Sequence, residues 1–386
     1  MNNDRHPLRA IFLVSFLFFA HLSVVMYINT TVLGHFVSAQ YVSTFYILGA
    51  AGAMVLLFIL PTIVQRYGLV KTAATIFALL TGCLLTLGTA TQPQTFITVF
   101  MIYGALSGTV WYCNDLFVAH YSAHKKTGHT RGAYLTFNNI AVASMPVIAG
   151  FIVERKGFGS VYLVAASFLS LAVAVIIYSQ RDFIDRQYTS PTIAAAWESI
   201  RQSPALRRVI SINFLLQFFY VWMTLFAPLY LSTVLHFSWQ TIGIIFSVML
   251  SAFVIFQYMV GQLADRIGEK KLFLIGGTIA TISTVAFSLL QYHTHSVIAY
   301  AAVLFCTRVG ICMIEVLAET YFFKQITDRD EGIVSVYRMM YPLAYIIAPL
   351  AGWYIISITS YSTLFLSLGL LLFLGTLYML RLVDIR

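Results

Sequence analysis

Arg308, Glu315 and Glu319 stand in a run that is otherwise apolar, Thr307-Arg308-Val309-Gly310-Ile311-Cys312-Met313-Ile314-Glu315-Val316-Leu317-Ala318-Glu319-Thr320-Tyr321. At 100° per residue of an α-helix the three fall within about 40° of each other and make one polar stripe. Ionisable side chains at membrane depth are costly and mark ion or solute pathways. The chemistry open to this set is binding of an anionic or polar group by Arg308 and of a proton by Glu315. The alternative is a structural ion pair that holds a helix bundle together. Glu319, near the end of the run, fits the structural role better, paired with Arg266 or Arg338 in a charge cluster with Asp265.

A second acid, Asp115, follows Trp111-Tyr112-Cys113-Asn114 in another apolar run, two hundred residues before Glu315. The same offset relates Arg66 to Arg266, Gly68 to Gly268, Lys71 to Lys271, Tyr121 to Tyr321, Gly132 to Gly332 and Asn138 to Arg338. Matches in register across several segments indicate a chain built from two similar halves. Two acids at matching depths in opposite halves either see a common solute or face the packing of their own halves. His21, midway along the first apolar run, is either a packing residue or a titrating group. His120 reads as an interfacial residue. Asn213, Gln217, Tyr220 and Thr224 recur at three- and four-residue steps, a polar stripe facing a cavity or a neighbouring helix, with Trp222 and Tyr230 as further aromatic surface.

The elements that must position these residues follow from composition. The chain has 386 residues, 60% hydrophobic and 10% charged, whereas a soluble domain is about 25% charged. The class is all-α integral membrane protein. The net charge of +9 comes from basic residues scattered over short loops, which read as topology signals and not as a nucleic-acid surface. Twelve segments are long and apolar enough to span a bilayer, near 8–33, 41–65, 69–90, 95–120, 132–153, 158–179, 208–234, 239–263, 271–291, 296–323, 332–357 and 361–381. The first is read as a retained membrane helix and not as a cleaved signal peptide. The expected division is a six-helix half over 1–180, a linker over 181–207 with an amphipathic piece at Ile193–Ile200, and a second six-helix half over 208–386. Of the 23 lysines and arginines, Arg155 and Lys156 fall on one side of the membrane, Arg308 and Arg338 lie inside helices, and the others fall on the opposite side. The positive-inside rule then places both termini and the linker in the cytoplasm. Cys83, Cys113, Cys306 and Cys312 lie inside apolar runs without metal-ligand spacing and read as small buried hydrophobes. No cofactor and no metal are expected.

One short polar joint, Gly261-Gln262-Leu263-Ala264-Asp265-Arg266-Ile267-Gly268-Glu269-Lys270-Lys271, separates two of the apolar runs. Together with the two six-helix halves and the long middle loop, it makes the chain resemble the major facilitator superfamily. That family's joint reads roughly G-x-x-x-D-R-x-G-R/K-R/K, met here by Gly261, Asp265, Arg266, Gly268, Lys270 and Lys271. The resemblance implies that this joint, with Glu319 and Arg338 nearby, latches the cytoplasmic helix ends in one conformation. The first-half copy departs from the pattern, with Pro61 and Gln65 at the positions of the first glycine and the acid. Met145-Pro146-Val147-Ile148-Ala149-Gly150 matches the family's antiporter signature poorly. The resemblance further implies that the first, fourth, seventh and tenth helices line a central cavity, about which the halves rock in alternating access.

The expected function is secondary transport of a small organic solute, possessing an anionic group if Arg308 meets it. The chain would act as a monomer in the cytoplasmic membrane, with proton coupling through Glu315, Asp115 or both. The rival readings are an uncoupled facilitator of the same fold and a membrane-embedded transferase. The transferase would need a catalytic constellation on sizeable loops, and none is present. No G-x-x-x-x-G-K-S/T loop occurs, so ATP does not drive the process through this chain.

Overall fold

A computed structural model of the chain describes residues 5–121, 127–181, 183, 193–326 and 331–382. Within these, side chains are described except at 5–9, 39–40, 115, 118–121, 127–136, 193–195, 265, 331–332 and 335.

Every regular element among the described residues is helical, because a chain in hydrocarbon must satisfy its backbone polar groups within each segment. In chain order the α-helices are α1 (Arg5–Met26), α2 (Asn29–Phe36), α3 (Ala39–Tyr67), α4 (Leu69–Thr89), α5 (Pro93–Tyr121), α6 (Thr127–Lys156), α7 (Phe158–Ser179), α8 (Ile193–Gln202), α9 (Pro204–Leu229), α10 (Trp239–Ile267), α11 (Glu269–Leu289), α12 (Val297–Lys324), α13 (Glu331–Ile358) and α14 (Tyr361–Met379). Eleven are long and apolar enough to cross a membrane, or twelve spans if the bent pair α1 and α2 is counted as one. Apolar side chains on their outer faces, such as Leu79, Leu171, Ile282 and Leu370, are exposed, as lipid contact requires.

The first span differs from the unbroken 8–33 helix that the sequence suggests. It bends by 49° across residues 27–28. The polar Asn29-Thr30 pair begins the second piece, and both side chains are claimed from elsewhere. The Tyr162 hydroxyl donates to Asn29 Oδ1 at 2.8 Å, and Thr30 Oγ1 lies 3.0 Å from the Tyr46 hydroxyl. α9 is also modified near its end, where a π-helical turn, Tyr230–Val234, follows Leu229. The amphipathic linker piece is α8, with Ala196 and Ile200 buried and Trp197 60% exposed.

Two compact units emerge: Met1–Ser190 with Ser238–Gly243, and Pro191–Phe237 with Ile244–Arg386. In unit 1, α1 packs on α5, α6 and α7, and α4 packs on α5 and α7. In unit 2, α9 packs on α12, α13 and α14, and α11 packs on α12 and α14. The pairs α1–α6 and α9–α13 correspond, as do α4–α5 with α11–α12 and α4–α7 with α11–α14. The repeat seen in the sequence is thus a repeat of packing. Its joints also correspond: Gly68 ends α3 at φ 87° and Gly268 ends α10 at φ 88°, a backbone region where a Cβ is strained.

The α11–α12 crossing depends on a close backbone approach. A Cβ on Gly310 would lie 2.5 Å from both the Ala280 nitrogen and the Gly276 oxygen. Backbone cannot yield as a flexible side chain would. Gly310→Val should therefore cost about 3 kcal/mol or more. The expected outcome is loss of the monodisperse peak in fluorescence-detected size-exclusion chromatography. An unchanged peak and melting temperature would refute this account of the crossing.

Candidate functional site

The polar stripe of α12 meets the polar stripe of α9 inside unit 2. Arg308 is 2% exposed. Its guanidinium carbon lies 5.5 Å from the Phe219 ring centroid and 5.1 Å from that of Tyr220. A cation over a ring face is attracted by the ring quadrupole, more strongly when water is excluded. Its Nε and Nη2 are buried and lack hydrogen-bond partners. Among the described residues, no carboxylate stands within ion-pair distance of Arg308. Glu315, two turns along α12, accepts a hydrogen bond from the Tyr220 hydroxyl. One aromatic residue of α9 therefore touches both charged residues of α12, with its ring toward Arg308 and its hydroxyl toward Glu315.

The rest of the α9 stripe is structural in its contacts. Asn213 Nδ2 donates to the Tyr337 carbonyl at 3.0 Å, and Gln217 Nε2 donates to Asn213 Oδ1 at 3.1 Å. Thr224 is buried. Trp222 Nε1 donates to the Ala348 carbonyl at 2.7 Å, and Tyr230 packs against Phe287 and Phe365. These two aromatics fill the helix interfaces of unit 2.

Near the Gly261–Lys271 joint lie two ion pairs among the described residues. Arg338 Nη1 and Glu319 Oε1 are 3.0 Å apart, the pairing expected from the sequence. Lys324 Nζ and Glu269 Oε1 are 2.5 Å apart, with Glu269 buried. The second pair ties the start of α11 to the end of α12. Glu269 is a functional residue that the motif does not point to. Its proximity to a helix N-terminus was the available signal, since negative charge is favoured there. Within the joint, Gly268 makes the turn, while Arg266 and Lys271 are exposed. Gly261 has open space where a Cβ would stand. The side chain of Asp265 lies outside the described residues, so the charge cluster it was expected to join is not described.

In unit 1, the side chains of Asp115 and His120 also lie outside the described residues. His21 is fully buried. Its Nδ1 is 2.5 Å from the Phe18 carbonyl and its Nε2 is 3.3 Å from the Tyr103 hydroxyl. A carbonyl only accepts, so Nδ1 carries the hydrogen and Nε2 accepts from Tyr103. Both ring nitrogens are thus committed within the helix packing. Among the described residues no group of three His, Cys, Asp or Glu could hold a metal ion.

The family model described as Major Facilitator Superfamily matches residues 10–332. A putative proline/betaine transporter of Staphylococcus aureus (strain COL) is 36% identical over 77 residues, 20% of this chain and 16% of that protein. One of Staphylococcus haemolyticus (strain JCSC1435) is 38% identical over 70 residues, 18% of this chain and 15% of that protein. The matches thus span less than one fifth of these relatives' length. A crystal structure of a point mutant of the nucleoside transporter NupG superposes with a TM-score of 0.74, at 13% identity, covering 97% of this chain and 99% of that one. At that identity the likeness is one of fold.

The geometry around His21 carries a test. His21→Leu removes the acceptor of the Tyr103 hydroxyl. With the bond from Nδ1 to the Phe18 carbonyl lost as well, stability should fall by about 1–3 kcal/mol, the usual cost of one or two buried hydrogen bonds. The melting temperature of the purified variant should fall. The pH dependence of solute uptake should stay where it is in the wild type. A displaced pH profile would make His21 a titrating part of the cycle.

Proposed function

The chain belongs to the major facilitator superfamily, and from that premise we propose that it is a proton-coupled secondary transporter for a small organic solute with an anionic group. It is a multi-pass membrane protein that transports a small solute, not an enzyme. The proposal concerns coupling, substrate chemistry and mechanism. The observation that carries it is the pairing pattern in unit 2: Arg308 is buried with unpaired N–H groups, while Glu315 takes its hydrogen bond from Tyr220.

A buried cation with open N–H donors is poised for an incoming anion, because desolvated charge gains most from a partner. The planar guanidinium offers two parallel donors that match a carboxylate. Phe219 and Tyr220 hold its plane in place. Proline and betaine, the solutes in the names of the staphylococcal relatives, each carry a carboxylate, which supports this reading. Glu315 loads the proton. When protonated it loses its charge and gains an O–H donor beside the remaining acceptor oxygen, so its hold on the Tyr220 hydroxyl weakens. Proton loading and the setting of Tyr220 against Arg308 are thereby linked. Asp115 is the matching acid of the first half in our reading.

The transporter works by alternating access as a monomer in the cytoplasmic membrane, with both termini in the cytoplasm. The joint from Gly261 to Lys271 and the Glu319–Arg338 pair act as its cytoplasmic latch. Gln217 and Asn213 set the position of α9 against α13.

Proton release on solute addition tests the proposal. Purified wild type and Glu315→Gln are titrated with a panel of organic acids, amines, sugars and drugs in weakly buffered solution. The expected outcome is a pH change for anionic members in wild type and none in Glu315→Gln. Arg308→Gln should weaken binding of the same members roughly tenfold to a hundredfold, as for loss of a charge-assisted pair. Binding without proton movement in either protein would instead establish the uncoupled facilitator.

A further inference from the structure

Four asparagines are buried among the described residues: Asn29, Asn114, Asn138 and Asn213. Asn29 and Asn213 have partners in the packing. Asn114 and Asn138, each 2% exposed, have none for either the amide nitrogen or the oxygen. Ser15, fully buried, also has an unpaired hydroxyl. Native structures pair nearly all such groups, so two asparagines unpaired at both amide atoms call for a reason.

The three residues lie at one level. On α1 and α5, Phe19 meets Trp111 at 4.7 Å and His21 meets Tyr103, so the helices run antiparallel. Ser15 is one turn before Phe19 on α1, and Asn114 one turn after Trp111 on α5. Each step moves in the same direction along the pair. On α1 and α6, Phe16 meets Phe137 at 4.8 Å and Ser23 Oγ donates to the Val142 carbonyl, so these helices run parallel. Ser15 and Asn138 adjoin that ring contact. Asn138, Ala141 and Met145 recur at three- and four-residue steps as buried positions of α6. Trp111 and Phe137 at this level are 38% and 39% exposed and offer flat apolar faces.

We propose that Ser15, Asn114 and Asn138 form a solute-recognition site in unit 1 for a neutral group that presents a hydrogen-bond donor and acceptor side by side. A carboxamide holds its own donor and acceptor in one plane, so its complement is an amide, an imide or the edge of a nitrogen heterocycle. Such groups are planar and stack on aromatic side chains such as Trp111 and Phe137. A trimethylammonium group has no donor or acceptor and leaves both amides unpaired. The site rests on the transporter reading above and names a further chemical group for its solutes, a planar amide-like edge.

The test measures the melting temperature of purified wild type, Asn114→Leu, Asn138→Leu, the two corresponding Ala variants and Arg308→Gln. The probes are uracil (an imide), orotate (an imide with a carboxylate) and glycine betaine (a carboxylate without donors). Without probe, the Asn variants should melt at or above the wild-type temperature, because each loses an unpaired polar group. Uracil and orotate should raise the wild-type melting temperature, and the Asn variants should need at least about tenfold more of either. The response to glycine betaine should be the same in the Asn variants as in wild type. The proposal is overturned if the Ala and Leu variants both melt well below wild type, which would reveal structural partners for the amides. It is equally overturned if neither imide acts on wild type, or if both act on the Asn variants undiminished. Arg308→Gln separates the two readings. If it leaves orotate no weaker while the Asn variants fail, the site in unit 1 stands and the anion contact at Arg308 falls.

Discussion

Hydrocarbon donates and accepts no hydrogen bonds, and each polar atom carried into it must find its partner in the protein. This constraint shapes the backbone first. All described elements are helices, and the close crossings are made where small residues let backbones touch, as Gly310 does against Gly276 and Ala280. It shapes the side chains next. Asn213 reaches the Tyr337 carbonyl, Trp222 reaches that of Ala348, and Ser23 reaches that of Val142. Each of these bonds fastens one helix to another by satisfying a group that would otherwise be stranded. Against that background the unpaired groups stand out. Arg308, Asn114 and Asn138 each leave two buried polar atoms unsatisfied in this state, and a solute or water can supply what is missing.

Much of the fold was legible in the sequence because the signals were local. Runs of about 20 apolar residues gave the spans, and Gly68 and Gly268 marked the turns between them. The stripe of Arg308, Glu315 and Glu319 could be read from helical periodicity alone. What escaped depends on residues far apart in the chain. The break after α1 owes its buried Asn29 to Tyr162, separated by 133 positions. That Tyr220 joins Glu315 requires α9 to lie on α12, a pairing of residues 95 positions apart. Glu269 stands inside the motif without being one of its matched residues, and its partner Lys324 lies at the far end of another helix. Missing partners are harder still to foresee, since an asparagine in a sequence looks the same whether or not it will be paired.

The two halves share a packing plan and diverge in what they carry. Asn138 of α6 corresponds to Arg338 of α13 in the repeat, yet one is unpaired and the other is bound to Glu319. Gly108 of α5 corresponds to Arg308 of α12, so the buried cation has no counterpart in unit 1. Unit 2 thus holds the described intramembrane charges, while unit 1 holds neutral amides at the described positions.

The unpaired guanidinium of Arg308 has an electrical consequence. A fixed positive charge inside the bilayer feels the voltage across it, worth about 2.3 kcal/mol per elementary charge moved through 100 mV. Any rearrangement that changes how much of that drop Arg308 senses is driven or resisted by the resting potential. An anion bound to it would cancel the charge and release the carrier from the field. The empty protein with Glu315 protonated would then be the voltage-sensitive form, since an ionised Glu315 two turns away offsets Arg308 in the empty, unprotonated one.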